Sequence, residues 1–134
     1  MDNRCEPFVA DCAVRLATDL IAHRWDPVVL LTLRSGPHRR VDLLSRIGNV
    51  SDKVVAEALR RLTTNGLVTR EIAEDRTITY RLSDLGASLA DGPLAALGEW
   101  AIEHGEDVLA AQERNRAATG RPEVWRSRLV PGIS

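Results

Sequence analysis

The chain has 134 residues, of which 44% are hydrophobic and 28% are charged, and its formal net charge is -1. This length and composition fit one globular domain with a real core and argue against a disordered chain. The sequence has no run of about 18 apolar residues that could span a membrane. Its start lacks the basic and apolar regions of a secretory signal, so we expect a cytoplasmic protein.

The residue types that catalysis and metal binding require are sparse. Cys5 and Cys12 are the two cysteines, which is too few for a disulfide scaffold. The three histidines, His23, His38 and His104, are scattered and do not suggest a metal site. No phosphate-binding loop, paired carboxylates or serine-histidine-aspartate order is present. We therefore expect no cofactor and no enzymatic activity.

Two helices are predicted at the start of the chain from the spacing of apolar residues. The first is expected over residues 11–23. Asp26 is predicted to cap the second, with Pro27 in its first turn, where a missing N–H costs little. The run VVLLTL that follows is apolar on all sides and predicts a buried helix, which a Ser-Gly-Pro sequence ends.

Residues 36–82 carry the most informative pattern of the chain. They predict a basic lead segment, a third helix ending in a Gly-Asn turn, and a fourth helix. Ser51 is a good N-cap for the fourth helix, and Gly66 is a typical residue to end it. Two strands, residues 67–73 and 77–82, follow as a hairpin. This order predicts a winged helix-turn-helix, which lays one helix in the major groove of DNA.

Charge is segregated along the chain and agrees with that pattern. Residues 34–81 carry ten basic and six acidic groups, whereas residues 82–113 carry seven acidic groups and no basic one. A near-neutral protein can bind nucleic acid when its positive charge lies on one face. On the fourth helix the predicted core positions are Val54, Val55, Ala58, Leu59 and Leu62. The predicted outer positions are Ser51, Asp52, Lys53, Glu57, Arg60 and Arg61.

The last part of the chain predicts helices that join two copies of the protein. Ser83 or Asp84 is expected to cap a fifth helix, which a Gly-Pro pair at residues 92 and 93 is expected to break. A final helix over about residues 94–116 has one apolar and one acidic side. Its apolar stripe needs a second surface, which a second copy of the chain supplies. The predicted interface residues of this homodimer are Leu94, Leu97, Trp100 and Ala101.

The predicted fold is mainly α with a small β-hairpin wing. We expect an N-terminal arm at residues 1–10, the winged helix-turn-helix with its dimerisation helices at residues 11–113, and a basic tail at residues 114–134. One cysteine and five sequence fragments occur in this order along the chain: Cys12, DLIAHRW (19–25), VVLLTLRSGPHRRVDLLSRI (28–47), VSDKVVAEALRRLTTNGLVTR (50–70), YRLSDLG (80–86) and LGEWAIEH (97–104). Together they resemble the HxlR-type, MarR-related winged-helix transcriptional regulators of bacteria.

The resemblance implies a homodimeric repressor whose terminal helices form the interface and whose fourth helix reads an inverted repeat in promoter DNA. In several members of that family, a reactive electrophile or oxidant modifies a cysteine before the first helix and ends repression. Cys12 is therefore the candidate sensor. The alternative is that Cys12 is an inert, half-buried thiol. The effector is then a small apolar ligand near Trp25 and Trp100, or there is no effector at all.

The contacts with DNA are predicted from position on the elements. The candidates for base readout lie in the first turn of the fourth helix: Ser51, Lys53 and Val54. The candidates for phosphate contact are Arg39, Arg40, Arg60 and Arg61. Arg76 at the tip of the hairpin is expected to reach the minor groove or a flanking phosphate, and the alternative is a pair with Asp75 in solvent. A second function stays open at this point, a winged-helix module that docks a protein and does not bind DNA directly.

Overall fold

The computed structural model describes residues 13–119, and the chain divides into two compact units between Leu94 and Ala95. The elements in chain order are α1 (Ala13–Leu20), α2 (Asp26–Thr32), α3 (Arg40–Ile47), α4 (Asp52–Thr64), β1 (Val68–Ile72), β2 (Ile78–Leu82), α5 (Asp84–Leu89) and α6 (Ala95–Thr119). A 3-10 turn (Leu33–Ser35) follows α2, and a π-helical turn (Ala90–Leu94) follows α5. The predicted fold class, mainly α with a β-hairpin wing, is confirmed.

Apolar side chains from α2, α3, α4 and the start of β1 form the core of the first unit. The predicted burial of α2 holds for Val29 and Leu30, which have no exposed surface. Four of the five predicted core positions of α4 are buried as well. The fifth, Val54, is half-buried, because it lies about a quarter turn from the centre of the buried face. The buried apolar residues are Val29, Leu30, Leu33, Leu43, Val55, Ala58, Leu59, Leu62, Leu67, Val68, Ala90 and Leu94.

Asp26 does not cap α2, as the sequence predicted, but forms a buried ion pair. Trp25 holds the N-cap position without a side-chain cap bond, and Asp26 is the first residue of the helix. The Asp26 carboxylate is 1% exposed and accepts hydrogen bonds from Arg61 Nε at 3.0 Å and Nη2 at 2.8 Å. The prediction that Arg61 lies on the outer face of α4 is therefore wrong, because its guanidinium turns inward to neutralise this carboxylate.

Both ends of α4 carry the predicted capping residues. The Val54 N–H donates to Ser51 Oγ at 3.2 Å. At the other end Gly66 takes a φ of +76°, and the N–H of Leu67 donates to the carbonyl of Leu62 at 2.9 Å. This arrangement is a Schellman motif, in which glycine adopts the left-handed conformation and an apolar pair closes the turn. The motif directs the chain from α4 into β1.

The wing is an antiparallel hairpin that is also tied to the segment before α3. Val68 pairs with Leu82 at its base, and Ile72 pairs with Ile78 near its tip. His38 adds a single bridge to Tyr80: the His38 N–H donates to the Tyr80 carbonyl at 2.9 Å, and the Tyr80 N–H donates to the His38 carbonyl at 2.8 Å. The middle of β2 therefore has backbone bonds on two sides, to β1 and to the segment before α3.

The connection from the wing to α5 requires a glycine. Ser83, one of the two predicted caps, accepts a hydrogen bond from the Gly86 N–H at 3.0 Å. A Cβ atom on Gly86 would lie 1.8 Å from the carbonyl oxygen of Leu67, a main-chain atom that cannot turn away. Glycine at position 86 thus permits α5 to pack directly on the chain that joins α4 to β1.

The predicted break at residues 92 and 93 is wrong, because a π-helical turn carries the chain past Pro93. Proline has no N–H to donate, and the wider π turn is one of the local adjustments by which a helix accommodates it. The turn places Ala90 and Leu94 in the core of the first unit, with Leu94 only 3% exposed. The prediction that Leu94 needs a partner's surface is therefore wrong.

The second unit contains α6, which reaches Thr119 and so passes the predicted tail boundary at residue 114. Leu97 and Trp100 are 53% and 54% exposed, and Ala101 is half-buried. The exposed acidic residues on its other side are Glu99, Glu103, Glu106 and Asp107. No helix within residues 13–119 combines the length and the apolar character that a membrane crossing requires.

Candidate nucleic-acid interface

The outward face of α4 is formed by four residues spaced three or four apart. They are Lys53, Ala56, Glu57 and Arg60, which the helical repeat places on one side. The side chain of Lys53 is 85% exposed and that of Glu57 is 40% exposed. Ser51 and Arg60 are exposed, as predicted, whereas Val54 is half-buried at the edge of this face. Ala56 and Glu57 were not among the predicted site residues, although their helical spacing from Lys53 is visible in the sequence.

The two arginines before and at the start of α3 each have an acidic partner. Arg40 Nε lies 2.7 Å from the Asp52 carboxylate, and Arg39 Nε lies 3.3 Å from the Asp42 carboxylate. The first pair neutralises the negative charge that Asp52 brings to the first turn of α4. It also links the N-terminal ends of α3 and α4 by their side chains. Asp52 additionally favours helix formation, because a carboxylate suits the positive end of the helix dipole.

Four exposed arginines of the helix-turn-helix and wing form no ion pair within the described part of the chain. They are Arg46, Arg60, Arg70 and Arg76. Arg46 lies in the last turn of α3 and Arg70 on β1. Neither was predicted as a site residue. Both belong to the basic segment at residues 34–81, but the sequence does not show which of its arginines lack an acidic neighbour in space.

The tip of the wing presents Arg76 on a tight turn. Arg76 has a φ of +68°, which few non-glycine residues adopt, and its N–H donates to the Ala73 carbonyl at 2.9 Å. The Asp75 carboxylate accepts a hydrogen bond from the Thr77 N–H at 3.0 Å, and this bond lowers the pKa of Asp75. The solvent pair between Arg76 and Asp75, the alternative from the sequence, is not formed in the described residues. The Arg76 guanidinium is therefore available for another partner.

Comparison with known proteins gives the same assignment along most of the chain. Residues 20–108 match the HxlR-like helix-turn-helix family. The chain is 33% identical over 113 residues to YtfH of Escherichia coli (strain K12), described as an uncharacterised HTH-type transcriptional regulator. The match covers 82% of this chain and 88% of that protein.

The chain belongs to the HxlR-like helix-turn-helix family. It is a DNA-binding transcriptional regulator, as the resemblance in its sequence implied, and its relatives are transcriptional regulators rather than enzymes. The solved structure of the ytfH transcriptional regulator from Salmonella typhimurium matches with a TM-score of 0.64 and 32% identity. That match covers 80% of this chain and 96% of the other.

A second relative with solved structures is YodB of Bacillus subtilis. Its reduced form matches this HxlR-like regulator with a TM-score of 0.60 and 27% identity, over 65% of this chain and 86% of the other. Its quinone-bound form matches with a TM-score of 0.59 and 27% identity, over 67% and 96% of the two chains. These matches support the winged helix-turn-helix fold and show that one similar protein has been seen with a quinone.

The residues predicted for effector binding are placed only in part. The ring of Trp25 is half-buried, with the Arg24 guanidinium carbon 6.0 Å from its centre. In α6, the rings of Trp100 and His104 have their centres 5.0 Å apart. Cys12 and Cys5 lie outside the described residues. Residues 13–119 contain no group of three histidine, cysteine or acidic residues placed to hold a metal ion.

Proposed function

We propose that this HxlR-like regulator is a repressor that binds an inverted repeat in a promoter as a homodimer. The outward face of α4 carries the proposal, because it combines the exposed Lys53 with Arg60, which has no ion pair in the described chain. A helix of this kind fits the major groove, and cations on it attract phosphates. With this function the protein acts in the cytoplasm, as expected from its sequence, where it meets the promoter.

The proposed contacts follow from position and pairing. Ser51 and Lys53, at the start of α4, meet base edges. Arg60 and Arg76 hold phosphates or, for Arg76, enter the flanking minor groove. Arg39 and Arg40 reach phosphates with guanidinium N–H groups that their carboxylate partners leave open, because arginine has more donors than one carboxylate can bind. Val54 contributes only from the edge of the face. Arg61 is left out, because two of its donors are bound to Asp26.

The proposed dimer rests on apolar surface that is exposed in the described chain. Leu97 and Trp100 of α6 are more than half exposed, and so are Val14 and Leu16 of α1, at 61% and 67%. Apolar area of this kind is the usual material of an interface between identical subunits. A two-fold dimer presents two copies of α4 to two half-sites about 34 Å apart along the DNA.

Replacing Arg60 with alanine tests the DNA contact. We expect Arg60→Ala to weaken binding to every sequence. We also expect the slope of log K against log salt to become less negative by about one unit, because one phosphate contact no longer releases a counterion. Fluorescence anisotropy with labelled promoter DNA at several salt concentrations measures both quantities. Arg114→Ala is the control, since this exposed arginine lies on α6. An Arg60→Ala protein with the wild-type affinity and slope contradicts the proposed face.

We further propose that modification of Cys12 releases the promoter. The proposal draws on the quinone-bound structure of the relative YodB and on the position of Cys12 just before α1 in the sequence. A thiolate there attacks an electrophilic quinone, and helix N-termini favour the thiolate. We expect quinone treatment to lower the promoter affinity of wild type and of Cys5→Ser, but not of Cys12→Ser. Equal loss in all three proteins excludes Cys12 as the switch.

A further inference from the structure

The outward face of α4, which we propose to bind DNA, contains a carboxylate that does not help to bind phosphates. Glu57 lies between Lys53 and Arg60, and its side chain is 40% exposed. Phosphates repel a carboxylate, so Glu57 weakens binding unless it meets a hydrogen-bond donor on the DNA. Glu57 therefore calls for a role other than the phosphate contacts of the proposed function.

Few partners in the major groove suit a carboxylate, which only accepts hydrogen bonds. The donors there are the N4 amino group of cytosine and the N6 amino group of adenine. In adenine the neighbouring N7 is an acceptor and repels a second carboxylate oxygen. In cytosine the N4 group has no such neighbour on its own base. Cytosine is thus the better partner for an ionised glutamate.

The Lys53–Glu57 pair leaves both side chains free to turn toward bases. Lys53 Nζ lies 4.0 Å from Glu57 Oε1, the limit of an ion pair, and exposed pairs of this spacing contribute little stability. Ala56 beside them projects no more than a methyl group, so the backbone of α4 can approach the bases closely. Four residues of helix rise about 6 Å, which corresponds to about two base pairs.

We propose that Glu57 is a specificity residue that reads a cytosine through its N4 amino group. Lys53, which prefers the acceptors of guanine, reads a guanine within about two base pairs of it. Arg40 makes this assignment possible by holding the other carboxylate of the α4 surface, Asp52, at 2.7 Å. The inference rests on the proposed function, because it needs α4 to lie in the major groove.

Selection of DNA sites from a randomised library tests the inference. We expect the wild-type protein to select an inverted repeat with one strongly preferred cytosine in each half-site. The Glu57→Gln protein is expected to select adenine at that position, because glutamine pairs with adenine N6 and N7. The relative affinity for cytosine over adenine should change by about tenfold or more in competition titrations.

The control variant is Glu74→Gln, which removes the same charge from an exposed residue of the wing. It should leave the selected sequence unchanged. If Glu57→Gln selects the wild-type sequence, the inference is overturned while the proposed function stands. If the wild-type protein selects no sequence at all, the proposed function itself fails.

Discussion

Replacing Arg61 with methionine is expected to cost about 3 kcal/mol of folding free energy, because the Asp26 carboxylate is then buried without a partner. This value is at the lower end of the range for breaking a buried pair, since the Arg61 side chain is 31% exposed and water can reach the vacated space. Urea unfolding followed by circular dichroism measures the loss as a lower midpoint with an unchanged slope.

The neighbouring Arg60 provides a matched control for the loss at Arg61. Arg60→Met removes the same charge one residue earlier, where the side chain is exposed and has no ion pair in the described chain, and should change stability by less than about 0.5 kcal/mol. The double variant Asp26→Asn, Arg61→Met should recover most of the lost stability, because no unpaired charge stays buried. It should also bind DNA with the wild-type salt slope. A slope less negative than that of wild type by about one unit would indicate that Arg61 contacts a phosphate after all.

Deprotonation of Arg61 is not expected to weaken the ion pair at neutral pH. The hydrogen bond to Asp26 raises the pKa of Arg61 above its ordinary value. A raised pKa stabilises the folded state below the unfolded value and loses that effect only as the pH rises through the folded value. Arg61 therefore stays charged and paired throughout the neutral range.

Placing a charge at Trp100 is expected to separate the proposed dimer and abolish tight operator binding. Trp100→Glu replaces a large, half-exposed apolar side chain of α6 with a carboxylate, which two subunits cannot bury against each other. A monomer engages one half-site at a time, so we expect operator affinity to fall by about a hundredfold or more. Sedimentation velocity at micromolar concentration and anisotropy with the full operator measure the two effects.

Ala110→Glu is the control for Trp100→Glu. Ala110 is exposed and lies three and four residues after Asp107 and Glu106, so the variant adds the same charge on the acidic side of α6, away from the apolar stripe. It should remain dimeric and bind the operator. A Trp100→Glu protein that sediments as a dimer excludes this residue from the interface, and a wild-type monomer excludes the proposed dimer.

The local signals in the sequence predicted α4 and the wing well. Ser51 and Gly66 are short-range capping residues whose effect depends on a few neighbouring peptide groups, and both act in the structure as predicted. The hairpin follows from the same kind of signal. The outward spacing of Lys53 and Arg60 is also a local property, because the helical repeat fixes it. These features required no knowledge of which elements meet in space.

The errors at Asp26, Arg61 and Leu94 concern contacts between distant parts of the chain. Asp26 and Arg61 are 35 residues apart, and nothing near either residue shows that α2 and α4 bring them together. Leu94 has the right spacing for the α6 stripe, but the π turn before α6 directs it into the core. The acidic partners of Arg39 and Arg40 differ in the same way: Asp42 is near in sequence, whereas Asp52 becomes adjacent only when α3 and α4 pack.

The His38–Tyr80 bridge has a consequence for the spacing of bases within the operator. His38 directly precedes the arginines that lead into α3, and its backbone bonds hold the wing at 2.8 and 2.9 Å. In the proposed complex, the tip at Arg76 and the face of α4 therefore keep a constant separation. One base pair inserted between the bases under α4 and those under the wing shifts them by about 3.4 Å and a tenth of a turn. Because the bridge holds β2 at Tyr80, we expect the wing to resist bending there, so that the length of the operator's flanks is constrained as well as its sequence.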